Sequence, residues 1–585
     1  MKPIYRFGYL ALCALVALSA LQGCGEDDWG PAVDPDYGKP ILEAPPSAGK
    51  ADNMDGIAGP TAATEGAATE VWAVTNQWED RYTDAAVQEG IAWGFDSGLD
   101  WDEKYALWVQ SLERIPGERY GETFELTTPW GARLKAPALE CAEASVFLRV
   151  TFASWYGLPF YISAWAPEGN IHFGHFGVWT DKEPHYKFSN YRDRYPDYSY
   201  LSLAEAQANW PTDARLARRS LGANKDDLNE WLGPEAYAGA YFDQIFLNKR
   251  VGHFLMVVLT FTGSVHLAST DNTFNLTAPA VRAGDTLLER WQKKGIGHTL
   301  VVKHVSPIAG TSQLEAELVS GSMPRRQPKW ESAASSQQSF LSYSAGGPGE
   351  NADGEAYVTL GGGIKRWRIA KIINGRWRNV VPESDRENFI PRHNTDALAA
   401  RLEIFKEILG TLTPEEKIEV LQQQIQSKRQ HLRQFPASCS ARISRESAFD
   451  ELYELAEDEF GWSTHEVDQM YRVIEDYIFA ELEYQSSRTC CWNSTTVDMY
   501  HIIMDLNEGY TYDSETGTCR EPLVFKMVDG GYKVFSDHAS TMGLSHAWVE
   551  WSADEPCPQE FSVTTDTEVV HTRASYCEAF SSDSP

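Results

Sequence analysis

Between Val71 and about Pro391, Gly and Pro divide the chain into short apolar runs, some β-branched or aromatic and others spaced for a helix. The first kind predicts strands over residues 160–164, 253–262, 299–305, 313–319 and 356–360. The second predicts helices over 101–114, 142–156 and 203–209. No regular βαβ repeat links them, so the expected class is α+β, with one large domain over 71–391.

Further on the pattern changes. Leu398, Leu402, Phe405 and Leu409 form one apolar stripe at helical spacing, and Ile418, Leu421 and Ile425 form another. Between them Thr413-Pro414-Glu415-Glu416 offers an N-cap, a Pro at the first helical position and a reciprocal Glu, which predicts a helical hairpin over 394–435. Beyond Cys439 a long helix is expected over 464–484 and another after Trp492. Residues 24–70, rich in Pro, Gly, Ala and Asp without apolar period, read as a flexible tether.

Composition supports a folded chain: of 585 residues 43% are apolar and 12% aromatic, too much core-forming material for disorder. With 51 basic and 83 acidic residues the formal charge is −32, which repels phosphate backbones and argues against nucleic acid as a partner. The excess is local, since residues 439–585 hold 8 bases against 29 acids whereas 281–435 hold 22 against 17. A separate acidic domain over 439–585 is expected.

At the start of the chain Lys2 and Arg6 precede an apolar run from Leu10 to Leu21, and Leu21-Gln22-Gly23-Cys24 follows. The run is shorter than the roughly 20 residues that span a bilayer and has the layout of a secretory signal. Its end resembles the bacterial lipoprotein signal, in which a cysteine after Leu and a small residue is lipidated and becomes the new N-terminus. That resemblance implies a signal peptide over 1–23, a lipid on Cys24, membrane attachment through that anchor, and a place in the bacterial cell envelope outside the cytoplasm.

On this reading Cys13 leaves with the signal and Cys24 carries lipid. Cys439, Cys490, Cys491, Cys519, Cys557 and Cys577 form an even set that can pair in an oxidising compartment and stabilise the acidic domain. Cys141 is the odd one. It stands where good helix formers begin, in Glu140-Cys141-Ala142-Glu143-Ala144, and Gly157 and Pro159 supply the stop. Amides at a helix N-terminus stabilise a thiolate, and a cysteine nucleophile further needs a base and an orienting group. His298 is the candidate base, opening the strand Gly297-His298-Thr299-Leu300-Val301-Val302 after a Gly284-Asp285 turn. Glu315 and Glu317 share one face of the following strand, and of the two Glu317 is chosen to orient His298.

A Cys-initiated helix, a Gly-Asp turn and a Gly-His strand, in this order, resemble the papain-like cysteine hydrolases of bacterial envelopes, above all the NlpC type of cell-wall endopeptidase. The resemblance spans residues 139–320 and implies Cys141 as nucleophile, His298 as general base and acid, and Glu317 as orienter. It requires a long insertion between Cys141 and His298, and it puts Glu where the family more often has His or a neutral polar group. The nucleophile helix is also similar to that of transglutaminase-like proteins of the same superfamily, where a shorter step makes His175, with Asp181 beyond it, the base.

The function expected is therefore that of an envelope-anchored lipoprotein whose papain-like core cleaves an amide bond through a Cys–His acyl-enzyme, with no cofactor and no metal. By resemblance the substrate is a cell-wall peptide. The competing expectation is a non-catalytic envelope binding protein on the same fold. His253 and His266 fall in apolar runs and read as core, Cys490-Cys491 with Ser545-His546 reads as disulfide material, and Gly361-Gly362-Gly363 as a turn.

Overall fold

The computed structural model describes residues 53–580 apart from 167–168, 189, 223–224, 294–296, 352, 437, 485–496, 509–515, 517, 527–530, 549–567 and 572–574. The expected signal peptide and the residues Cys24, Cys490, Cys491 and Cys557 lie outside the described residues.

The largest sheet comprises β1 (Thr273–Leu276), β2 (Thr286–Glu289), β3 (His298–Pro307), β4 (Leu314–Ser320), β5 (Lys329–Trp330), β6 (Gly363–Trp367) and β7 (Phe389–Ile390). Its strands run antiparallel in the order β5-β4-β3-β2-β6-β1-β7. Smaller antiparallel sheets are formed by residues 113–135, by residues 161–180, and by Ala58–Thr61 with Ile369–Ile373 and Arg376–Val380. The principal helices are α1 (Trp101–Ser111), α2 (Cys141–Trp155), α3 (Lys249–Phe261), α4 (Thr395–Leu409), α5 (Pro414–Gln434) and α6 (Cys439–Phe460). The α+β class therefore holds.

Every residue of α2 from Cys141 to Ala153 is buried, as a helix apolar on nearly all sides must be. It lies against β3, with α1 and α3 at its flanks. Phe152 meets the rings of Trp78, Tyr105, Trp108 and Tyr156 at centroid distances from 4.8 to 6.2 Å. The one cation on the helix, Arg149, is tolerated because its guanidinium lies 3.5 Å over the Trp78 ring and 2.9 Å from the buried Asp102 carboxylate.

Several expectations are corrected. Residues 253–262 are not a strand but part of α3, whose Val251, Phe254, Leu255 and Val258 are buried at helical spacing under an Asn248 N-cap. An apolar run buried on all sides loses the polar alternation that separates helix from strand. Residues 356–360 contain one 3-10 turn, Tyr357–Thr359. The long helix expected over 464–484 breaks into Thr464–Tyr471, Ile474–Ile478 and a strand Glu481–Tyr484. At the break Asp476 accepts from the Val473 amide at 2.9 Å and starts a new helix.

The expected hairpin over 394–435 divides. Its capping box is present, with Thr413 Oγ accepting from Glu416 N at 3.3 Å and the Glu416 carboxylate from Thr413 N at 2.8 Å. However, Phe405 and Leu409 of α4 join the core of the main sheet, with Phe274, Leu300 and Leu318. The Ile418, Leu421 and Ile425 stripe of α5 packs instead on Ala448, Phe449 and Leu452 of α6. The expected tether over 24–70 is also too long: Ala58–Thr61 pairs with Arg376–Val380, and Thr69 Oγ donates to Phe176 O at 2.7 Å. Near the C-terminus one disulfide, Cys519–Cys577, is present among the described residues. Among those residues no helix is long and apolar enough to cross a membrane.

Candidate functional site

Cys141 is the first residue of α2. The helix start is fixed from two sides. Glu140 N donates to Glu143 Oε2 at 2.8 Å, and the fully buried Glu143 accepts two 2.9 Å bonds from Arg325. Arg325 also holds Asp226 at 2.6 Å and Glu140 at 3.2 Å, so its buried charge is well matched. The loop after β4 that carries Arg325 crosses the helix start closely: a Cβ at Gly321 would stand 2.5 Å from Glu140 O, which is why a residue without one is found there.

The structure brings Cys141 and the start of β3 together. The Cys141 sulfur lies 3.9 Å from the carbonyl oxygen of Gly297, the residue immediately before His298. No hydrogen bond joins the Cys141 and His298 side chains. Two guanidiniums, those of Arg290 and Arg326, are close enough to Cys141 to couple to its charge. Such neighbours favour thiolate over thiol, adding to the helix N-terminus. The His298 ring keeps part of its surface open but is sunk deeply among other atoms. Burial, reinforced by Arg326 and Lys428 and opposed by Glu331, pushes it down to about 4. At neutral pH it is therefore an uncharged imidazole, able to accept a proton.

Glu317 does not orient His298. In the register of β3 and β4 it stands opposite His304, six residues along the strand from His298 or about 20 Å, and pairs with Arg114 at 3.3 Å. Glu315 is farther still, opposite Ser306. The reason is register: β4 pairs with β3 only from Val301 onward, so both of its carboxylates fall toward the far end. The carboxyl at the level of His298 is Glu289, directly opposite it on the other neighbour, β2. Directly opposed residues share a face with Cβ atoms about 4.5–5.5 Å apart. Burial raises Glu289 to about 7, against the lowering effects of a Ser342 hydrogen bond and of Lys428.

The alternative base is a core residue. The His175 ring is fully buried beside Trp377, at 4.5 Å between centroids, with Nδ1 2.9 Å from Phe160 O. Burial pushes it down to about 4, and Asp181 pairs with His172 at 2.9 Å instead. His253 and His266 are buried and hydrogen-bonded, His253 to Asp213 at 3.0 Å and His266 to the Gly263 amide at 2.9 Å. Gly361 and Gly363 adopt φ of +85° and +96° in the turn entering β6. Among the described residues no group of three or more His, Cys, Asp or Glu is arranged to hold a metal ion.

Sequence reasoning missed Arg290, Arg326 and Glu289. The available signals were Glu289-Arg290 at the end of an apolar strand and Arg325-Arg326 bracketed by Pro324 and Pro328. No family model, no curated protein and no solved structure matches this chain.

Proposed function

We propose that this protein is a cysteine hydrolase of papain-like architecture. One observation carries the reading: Cys141 opens a buried helix that lies against an antiparallel sheet, with its sulfur 3.9 Å from the residue that precedes His298. Arg290 and Arg326 place positive charge near Cys141, which favours its thiolate, and the neutral His298 supplies a proton acceptor. In the reaction the thiolate attacks an amide carbonyl and its sulfur forms an acyl bond. The C–N bond breaks and the amine leaves with the proton that Glu289 carries below about 7; water then attacks the acyl bond, its proton returning through His298 to Glu289, and the acid departs as the thiolate re-forms. Helix-start amides are the candidate donors to the oxyanion. Glu289 replaces Glu317 as the carboxyl beside His298. The residues between α2 and β2 form the insertion that the family resemblance requires.

We further propose that the chain is a lipoprotein anchored through Cys24 in the cell envelope, and that its substrate is a cell-wall peptide; the signal-like sequence and the family resemblance support these two points. An activated acyl ester labels the wild-type chain once, at Cys141, if the enzyme reading holds. Cys141→Ser then loses the label, and His298→Ala slows its turnover by about 100-fold or more. Labelling that is indifferent to Cys141 returns the protein to the competing class of envelope binding proteins.

A further inference from the structure

Strands β2 and β3 pair with Glu289 opposite His298, and the eight residues 290–297 connect them. A two-residue turn sets such a pairing by its own geometry, but a connection of this length does not. The place where β3 begins has to be fixed from outside the hairpin. The two ends of the connection, Arg290 and Gly297, meet at one side chain. Ser264 Oγ accepts from the Gly297 amide at 3.0 Å and from Arg290 Nη1 at 3.1 Å. A serine hydroxyl has two acceptor lone pairs, and these two bonds use both.

Ser264 is itself firmly placed. It is buried and opens the short helix Ser264–Ala268, which follows α3 and packs against α2 and β2. Just before it Thr262 Oγ1 donates to Val258 O at 2.8 Å, and just after it Asn272 Nδ2 donates to His266 O at 2.9 Å. Arg290 is also held through its amide, which donates to Ser344 O at 2.8 Å. At Gly297 the chain passes too close to β2 for a side chain, since a Cβ would stand 2.4 Å from Glu289 O and 2.9 Å from the Arg290 side chain. The Gly297 carbonyl oxygen lies 3.9 Å from the Cys141 sulfur, and His298 is the next residue. One hydroxyl thus ties the end of the hairpin that faces Cys141 to a rigid part of the large domain.

We propose that Ser264 is a positioning residue for the Cys141–His298 site: its hydroxyl clamps Arg290 to Gly297 and so sets where the Gly297–His298 backbone stands relative to the Cys141 sulfur. The role in catalysis rests on the hydrolase reading; the clamp itself does not. Ser264 acts through Gly297 and Arg290. Without its hydroxyl a buried amide and a buried guanidinium lose the acceptor they share, and buried donors in that position move or admit water. Either response loosens the start of β3. It also relieves the burial that holds His298 down to about 4, so the ring moves back toward its ordinary value near 6.5.

The test compares the full wild-type chain with Ser264→Ala, which removes the hydroxyl, and Ser264→Thr, which keeps it. Hydrogen exchange resolved at the Gly297 amide reads the clamp. It is expected to be about tenfold or more faster in Ser264→Ala, with the amides in the middle of α2 unchanged and Ser264→Thr close to the wild type. Unchanged exchange at Gly297 refutes the clamp, as does acceleration that spreads equally to α2 or that Ser264→Thr shares in full. The pH profile of Cys141 acylation by an activated acyl ester reads the effect on the site. Ser264→Ala is expected to acylate about tenfold more slowly at pH 5, with the rising limb of its profile displaced upward from about 4, and Ser264→Thr to restore both. Faster exchange at Gly297 with an unaltered acylation profile overturns the positioning role. Should wild-type Cys141 not acylate at all, the hydrolase reading fails, and exchange at Gly297 alone decides whether Ser264 holds the start of β3.

Discussion

Across β2 and β3, His298 and Glu289 face each other with their proton affinities inverted, the imidazole held down to about 4 and the carboxyl up to about 7. Between those values the ring is an uncharged base and the carboxyl keeps its proton. Acylation of Cys141 is therefore expected to rise as pH climbs through about 4 and to fall as it passes about 7. Glu289→Gln keeps a hydrogen-bond donor that does not titrate, so single-turnover rates of that variant should stay level above pH 7. An upper limb that survives in the variant assigns that limb to another group. His175 gives a stability prediction of definite sign. Its folded value of about 4 lies below the ordinary 6.5, so the unfolded chain binds the extra proton and this residue's share of stability is lost between pH 6.5 and 4. Urea unfolding of His175→Phe should show the variant gaining on the wild type as pH is lowered from 7.5 to 5; a constant difference would exclude a titrating His175.

The start of α2 depends on Arg325, the cation that neutralises Glu143. Arg325→Met leaves that carboxylate buried without its partner, and a loss of about 3–5 kcal/mol in urea unfolding is expected. A loss below about 1 kcal/mol would mean that the helix start is held in another way. Local signals of this element were readable in advance. The helix formers after Glu140 and the stop at Gly157 gave α2 to within a residue, and the Thr413 box gave the start of α5. What escaped was whatever depends on distant chain. Glu317 and Glu289 are equally plausible partners for His298 until the register of β3 is known, and no local pattern carries a register. The stripes of α4 and α5 are each correct, but which surface covers a stripe is decided by tertiary packing, and α6 rather than α4 lies against α5. Residues 253–262 failed because a helix buried on all sides has no polar face to display its period.

At the scale of the molecule, the acidic C-terminal region spends part of its charge inside. Asp476 is shared by Arg429 at 2.6 Å and Arg445 at 3.3 Å, and Arg472 takes Glu446 at 2.6 Å and Asp468 at 3.0 Å. The Cys519–Cys577 bridge closes a loop of 58 residues, worth about 4 kcal/mol if its action is on the unfolded chain. Replacing both cysteines by Ser should lower the unfolding midpoint of the C-terminal region, followed by hydrogen exchange, and leave α2 protected. Equal loss of protection in α2 would show that the two regions unfold as one. The central claim remains that Cys141 is a nucleophile, and its most direct measure is the rate of iodoacetamide modification at Cys141 in the folded chain at pH 6, where ordinary thiols, ionising near 8.5, are almost inert. The account predicts modification about tenfold or more faster in the folded chain than in the same chain unfolded in urea. Modification of Cys141 only after unfolding would contradict it.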